Sequence, residues 1–200
     1  LCGAGGAEAI TFAFDSAGEV TATDATANTT RLFLDHRGLL AKALNPLGGS
    51  VRLDYDTHFN LISLTDPAGR SHGYTYDVRG NLLSTTDPLG SRTAFSYEAS
   101  YRRLGQLVDA NANPTRYRHD TRGNLTAIVN ADATVERWAY DLAGQPAAWI
   151  NRRGDTVQYR FNPNGQLTEK LYPDGSRAAY EHDPRGSLVA ASNHTGRITL

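Results

Sequence analysis

Residues 76–90 read YDVRGNLLSTTDPLG, and this stretch decides the fold because its pattern returns along the whole chain. Tyr76 is an aromatic anchor with Asp77 after it, then Gly80 and Leu82, and Asp87-Pro88-Leu89-Gly90 closes the stretch. Asp or Asn first, Pro second and Gly fourth are the preferences of a type I turn whose left-handed last residue closes a hairpin loop. Asp77-Val78-Arg79-Gly80 carries the same Asp and Gly, so the stretch holds two turns. Between turns lie segments such as Asn81 to Thr86 and Ser91 to Tyr97, of strand length and rich in Thr, Tyr and Leu. The unit is strand, turn, strand, turn.

Working outward, the anchors are Phe14, Leu34, Tyr55, Tyr76, Tyr97, His119, Tyr140, Phe161 and His182, and subtraction gives spacings of 20, 21, 21, 21, 22, 21, 21 and 21. Asp follows the anchor in most copies, as in Asp56, Asp77, Asp120, Asp141 and Asp183, with Glu98 and Asn162 as exceptions. The first-turn glycine recurs as Gly18, Gly38, Gly80, Gly123, Gly144, Gly165 and Gly186, while Phe59 and Tyr101 depart. An aliphatic residue follows two places later, and Leu104, one place late, accounts for the longest spacing. A β-carbon in a left-handed position costs about 1–2 kcal/mol. The two departing turns are therefore expected to be remodelled, with Asn60 a stand-in for glycine. The second turn (Asp87 to Gly90 here) has lost its glycine at Ala27, Ala112 and Ala133, which predicts turns made another way.

The pattern predicts an all-β chain: residues 1–13 as a partial repeat or flank, and 14–200 as nine tandem 21-residue hairpin repeats in one continuous array. Anchors two strands apart form a register-setting ladder on one face. Asn124 to Ala143 lacks Gly and Pro and tempts a helix, but Leu125 and Tyr140 keep the repeat's phase, so it reads as two strands. A leucine-rich frame does not recur, and alternate copies do not differ as a two-unit propeller blade requires. Eighteen strands at about 4.8 Å each would make a flat sheet of roughly 85 Å, so the antiparallel ribbon is expected to curl. The absence of terminal capping units predicts edge-to-edge association of this piece alone.

With a formal charge of −1 and no basic run, the chain offers no footprint for nucleic acid or an anionic membrane. No apolar stretch approaches the roughly 18 residues of a membrane span. Cys2 is the single cysteine, which excludes an internal disulfide and a cysteine-rich zinc site. The chain contains no methionine, the mark of a piece cut from a longer polypeptide.

YDVRGNLLSTTDPLG from Tyr76 and HDTRGNLTAI from His119 resemble the YD repeats of the Rhs family, and the resemblance runs from about Phe14 to Leu200. That family includes bacterial wall-associated proteins, the shell component of insecticidal toxin complexes, and teneurins. The resemblance implies a β-ribbon wound into part of a hollow shell, in a secreted or cell-surface protein. The partners it implies are a C-terminal toxin or effector domain of the same polypeptide, cell-surface glycans and secretion-system components. The family's terminal core and autoproteolytic aspartates are not in this stretch, and Asp183-Pro184-Arg185-Gly186 is in phase as an ordinary repeat turn.

Paired carboxylates suggest glycosidase chemistry, yet every copy has the same turn-capping reason to carry an Asp. No window has the alternating ligands of a calcium loop. His119 and His182 sit at anchor positions, where planar packing explains them better than metal binding; His36, His58, His72 and His194 show no ligand spacing. No nucleophile elbow or phosphate loop appears. Tyr74, Trp138, Trp149 and Tyr159 could stack on sugars, but they follow the repeat phase as packing residues do. The reading is therefore a structural shell segment without catalytic residues, cofactor or metal, with a surface module binding carbohydrate or protein as the alternative. The structural residues singled out are the anchors Tyr55, Tyr76, Tyr97, His119, Tyr140, Phe161 and His182. Beside them stand the turn pairs Asp77 and Gly80, Asp87 and Gly90, Asp120 and Gly123, Asp141 and Gly144, Asp183 and Gly186.

Overall fold

The structure, a computed structural model, describes residues 10–15, 18–100 and 102–199. Cys2 and Tyr101 lie outside the described residues. The described chain holds nineteen β-strands and no helix. It divides into two compact units, Leu1–Phe95 and Ser96–Leu200.

The first unit contains β1 (Thr11–Phe14), β2 (Glu19–Thr23), β3 (Thr29–Leu34), β4 (Leu40–Leu44), β5 (Ser50–Tyr55), β6 (Leu61–Thr65), β7 (Ser71–Tyr76) and β8 (Leu82–Thr86). β9 (Arg92–Tyr97) runs across the boundary. The second unit contains β10 (Leu104–Val108), β11 (Pro114–His119), β12 (Leu125–Val129), β13 (Val135–Tyr140), β14 (Pro146–Ile150), β15 (Thr156–Phe161), β16 (Leu167–Leu171), β17 (Arg177–His182), β18 (Leu188–Asn193) and β19 (Gly196–Thr199). The stretch that tempted a helix is β12 and β13.

Within each unit every strand pairs antiparallel with its neighbour in sequence, and strand contacts run only between such neighbours. Each unit is thus a ribbon one sheet thick. Among the described residues the buried ones are small: Ser84, Gly123, Ala127 and Ala190. With no second layer, burial comes from side chains lying against their cross-strand neighbours, each facing pair contributing about 0.2–1 kcal/mol.

The two faces differ. The odd strands alternate half-buried and exposed residues, as in the pattern of β13 and β15. One face takes the anchors and the residues two and four before them, including Leu53, Tyr74, Tyr117, Trp138 and Tyr159. Trp138 and Trp149 face each other directly across β13 and β14. The opposite face takes Arg52, Arg116, Arg118, Arg137 and Arg160. A register shift falls just before the anchor at Leu34, Tyr55, Tyr76, His119, Tyr140, Phe161 and His182. This recurrent β-bulge accommodates the anchor beside the turn.

Two expectations about turns are overturned. Phe59 has φ 68° and keeps the ordinary turn: Asp56 N–H donates to Asn60 O at 2.9 Å and Phe59 N–H to Asp56 O at 3.3 Å. Asn60 is not the left-handed residue. Ala27, Ala112 and Ala133 likewise take φ 65°, 63° and 64° and make the same turn, with N–H bonds of 3.0 Å to the first-residue carbonyls. The reason is a balance of magnitudes. Two backbone bonds at about 0.5–1.5 kcal/mol net each, together with the paired strands on either side, hold the residue in place against the cost of a left-handed β-carbon. The Arg37 guanidinium also lies 5.5 Å from the centre of the Phe59 ring. The turn at Glu98 is remodelled: Glu98 N–H donates to Arg103 O at 2.8 Å, one residue further on than usual, and Arg102 takes φ 50°.

Candidate functional site: the turn rows and the anchor row

Most turns of both rows use one local device, with exceptions at Asn130 and Tyr172, where Asp132 and Asp174 accept the N–H two residues on instead. The first Asx side chain accepts the backbone N–H groups two and four residues later. Asp77 Oδ1 takes Arg79 N–H at 2.8 Å and Asn81 N–H at 2.9 Å. Asp87 Oδ1 takes Leu89 and Ser91 at 2.9 and 2.8 Å, and Asp120 takes Arg122 and Asn124 at 2.9 and 2.8 Å. Asp183 takes Arg185 and Ser187, each at 2.9 Å, and Asp141 takes Gln145 at 2.9 Å. The closing residues Gly80, Gly90, Gly123, Gly144 and Gly186 have φ of 83°, 85°, 84°, 85° and 95°. At Gly165 a β-carbon would also meet Gln145 Nε2 of the preceding repeat at 2.8 Å, so that side chain would have to shift.

These bonds set the chemistry of the carboxylates. The Asn81 amide, and then the Asn81 N–H, hold the Asp77 carboxyl below the ordinary carboxylate range. Asp87 is lowered first by the Ser91 N–H. Asp24 falls to about 2 through the Asn28 amide and the Thr26 hydroxyl. Desolvation opposes the shift at Asp120, but the bonds from Asn124 and Arg122 prevail and the carboxyl is still lowered. Carboxylates committed in this way stay ionised and make poor general acids.

The anchors Tyr55, Tyr76, Tyr97, His119, Tyr140, Phe161 and His182 each end a strand and lead into the first turn. Tyr55 and Tyr140 reach back one repeat, donating their hydroxyls to Leu40 O at 3.1 Å and Leu125 O at 2.9 Å. Burial raises the phenol pKa of Tyr76 and Tyr140. His119, with 9% of its side chain exposed, brings Nδ1 to 3.2 Å from Glu98 Oε1, close enough for an ion pair but without hydrogen-bond alignment. Sequence reading missed this pair, although its signal was present: the two unusual residues, Glu after one anchor and His at the next, belong to adjacent repeats. No three His, Cys, Asp or Glu among the described residues gather as a metal site. An open groove lined by Asp155, Tyr172, Asp174, Arg177 and His194 runs along the second-turn row.

The family model described as RHS Repeat matches residues 76–113 and 140–177. Two stretches of the chain match RHS repeats. Both matches begin on an anchor, Tyr76 and Tyr140, and each runs through both turns of its unit into the next. No curated protein matches the chain. Solved structures similar to this chain include the crystal structure of TcdB2-TccC3-TEV, at 14% identity and a TM-score of 0.33, over 88% of this chain and 15% of that one. The crystal structure of TcdB2-TccC3-Cdc42 is similar at 14% identity and a TM-score of 0.28, over 92% and 17%. A Tc holotoxin pore of Photorhabdus luminescens with a TccC3 mutation is similar at 14% identity and a TM-score of 0.28, over 94% and 17%. The chain spans under a fifth of the length of these structures' chains.

Proposed function

We propose that this RHS-repeat chain is a stretch of wall in a secreted or cell-surface shell that encloses or presents a C-terminal toxin or effector domain of the same polypeptide. The observation that carries the reading is the one-sheet-thick ribbon: each unit uses the same two turns, and its two faces differ in chemistry. The aromatic and aliphatic face stays half-buried for want of a second layer, and exposed apolar surface of this extent calls for a covering partner. A wall supplies one by turning that face away from bulk water. Residues 14–200 act in this reading as one array of nine repeats. Electron microscopy of the full-length parent tests it: a closed cavity containing extra density supports encapsulation, and an open ribbon with no cavity refutes it.

A second reading rests on the same face. Trp138, Trp149 and Tyr159 present rings on the anchor face of the second unit, and Tyr74 presents one on that face of the first, which suits stacking on sugar rings. A glycan array probed with folded protein tests it, and an absence of signal refutes it.

A further inference from the structure

On the face opposite the anchors, the second unit twice places arginines on both strands flanking the same repeat position. In the first, Glu169 of β16 is held between arginines of the flanking strands. Its Oε2 lies 3.0 Å from Arg160 Nη1 of β15 and its Oε1 3.3 Å from Arg177 Nη1 of β17, with 17% of the side chain exposed. Glu169 stands eight residues after its anchor Phe161. Eight residues after the anchor His119 stands Ala127, at the centre of β12. Ala127 pairs in register with Arg118 on one side and Arg137 on the other. Arg118 corresponds to Arg160, each immediately preceding its anchor, whereas Arg137 takes the place of Ala179 and lies directly opposite Ala127, while Arg177 reaches Glu169 from the diagonal. Ala127 thus has an arginine directly opposite it on each side, and where the other repeat has a carboxylate there is a methyl group.

Arg116, on the same face two residues before Arg118, adds a third cation. All three are exposed, and none makes an ion pair among the described residues. Neighbouring strands bring no acid to this face: β10 contributes Gln106, β12 Val129, β14 Ala148 and Ile150, and β15 Gln158. Three like charges held without a counter-ion repel one another, and the guanidinium fork matches a carboxylate in shape.

We propose that Arg116, Arg118 and Arg137 form a carboxylate-binding site whose ligand is an acidic peptide segment, running along the strand direction over β11 to β13 with one Asp or Glu side chain over Ala127. Arg116 and Arg118 are about 6.8 Å apart along the strand, the repeat of alternate side chains in an extended peptide. A single-stranded nucleic acid fits less well. Its sites combine a basic groove with rings on which bases stack, and the rings of β11 and β13, Tyr117, Trp138 and Tyr140, lie on the other face. The site does not depend on the wall reading.

A fluorescently labelled deca-glutamate peptide, titrated against the full chain and followed by anisotropy, tests the proposal. Saturable binding that weakens with added salt is expected. Ala127→Glu, which supplies the carboxylate from within as Glu169 does, weakens it by about tenfold or more. Ala127→Gln, of similar size but neutral, keeps most of the affinity, and the Arg118→Gln/Arg137→Gln pair abolishes it with the β-sheet circular dichroism unchanged. The proposal is overturned if the peptide fails to bind, if Gln at position 127 weakens binding as much as Glu, or if oligothymidylate binds and the peptide does not.

Discussion

Replacing Ala112 by glycine stabilises the chain. Ala112 closes the turn that starts at Asp109 with φ 63°, and its N–H donates to Asp109 O at 3.0 Å. Removing the β-carbon relieves about 1–2 kcal/mol of left-handed strain. Against this, the unfolded chain gains freedom with glycine, which costs about 0.4–1 kcal/mol. The net gain is about 0.5–1 kcal/mol per site, and the combination of Ala27→Gly, Ala112→Gly and Ala133→Gly in separate repeats is expected to give about 2 kcal/mol. Gly144→Ala is the mirror-image control. Gly144 has φ 85° and nothing within 4 Å of an added β-carbon, so only backbone strain opposes it. It should destabilise by about the amount that Ala112→Gly stabilises. Urea unfolding with matched slopes measures both. If Ala112→Gly lowers the midpoint, or Gly144→Ala leaves it unmoved, strain at the closing residue is not the controlling quantity and the account of these turns fails.

Tyr140→Phe removes the hydroxyl that ties one repeat to the Leu125 carbonyl of the repeat before it, and a loss of about 0.5–1.5 kcal/mol in urea unfolding is expected; an unchanged midpoint would show the bond to be idle. Asp24, Asp56, Asp66, Asp77, Asp87, Asp109 and Asp120 have carboxyls lowered in the folded state, so the stability they lend is complete above about pH 4 and is lost as pH falls through their folded values, which for Asp24 is about 2. Thermal midpoints should therefore fall between about pH 4 and pH 2, and a flat profile would contradict the carboxylate bridges. Asp77→Asn should keep the turn and shed part of that acid sensitivity, because Asn45, Asn151 and Asn162 bridge their own turns in the same way. Asp77→Ala should lower stability at every pH, as hydrogen exchange at Arg79 and Asn81 will report.

Strand and turn positions were legible in the sequence because Gly, Pro and Asx act locally. Whatever they specify is finished within four or five residues, and a constant spacing repeats the message. Phe59, Ala27, Ala112 and Ala133 misled for the same reason. A purely local reading counts the strain of a left-handed β-carbon but not the strands that hold the turn shut on either side. The face opposite the anchors was less readable still. Arg177 follows Glu169 by eight residues and Arg160 precedes it by nine, and their meeting depends on registers set by the intervening turns. The bulge before each anchor shifts that register by one, so counting from the sequence places such pairs wrongly until the bulge is known. For Glu98 and His119 the departures from consensus were visible, but their adjacency was not.

That each strand meets only its sequence neighbours bears on how such a gene can change. No described strand within a unit waits for a distant stretch of chain, so each hairpin has its strand partners soon after leaving the ribosome. A duplication or deletion of one whole period joins a strand edge to an equivalent strand edge, and the splice inherits a pairing already in use. Out-of-period insertions meet no such match, and the longer copy from Tyr97 to His119 shows where one is absorbed: in the turn at Glu98, leaving the strands that follow in phase.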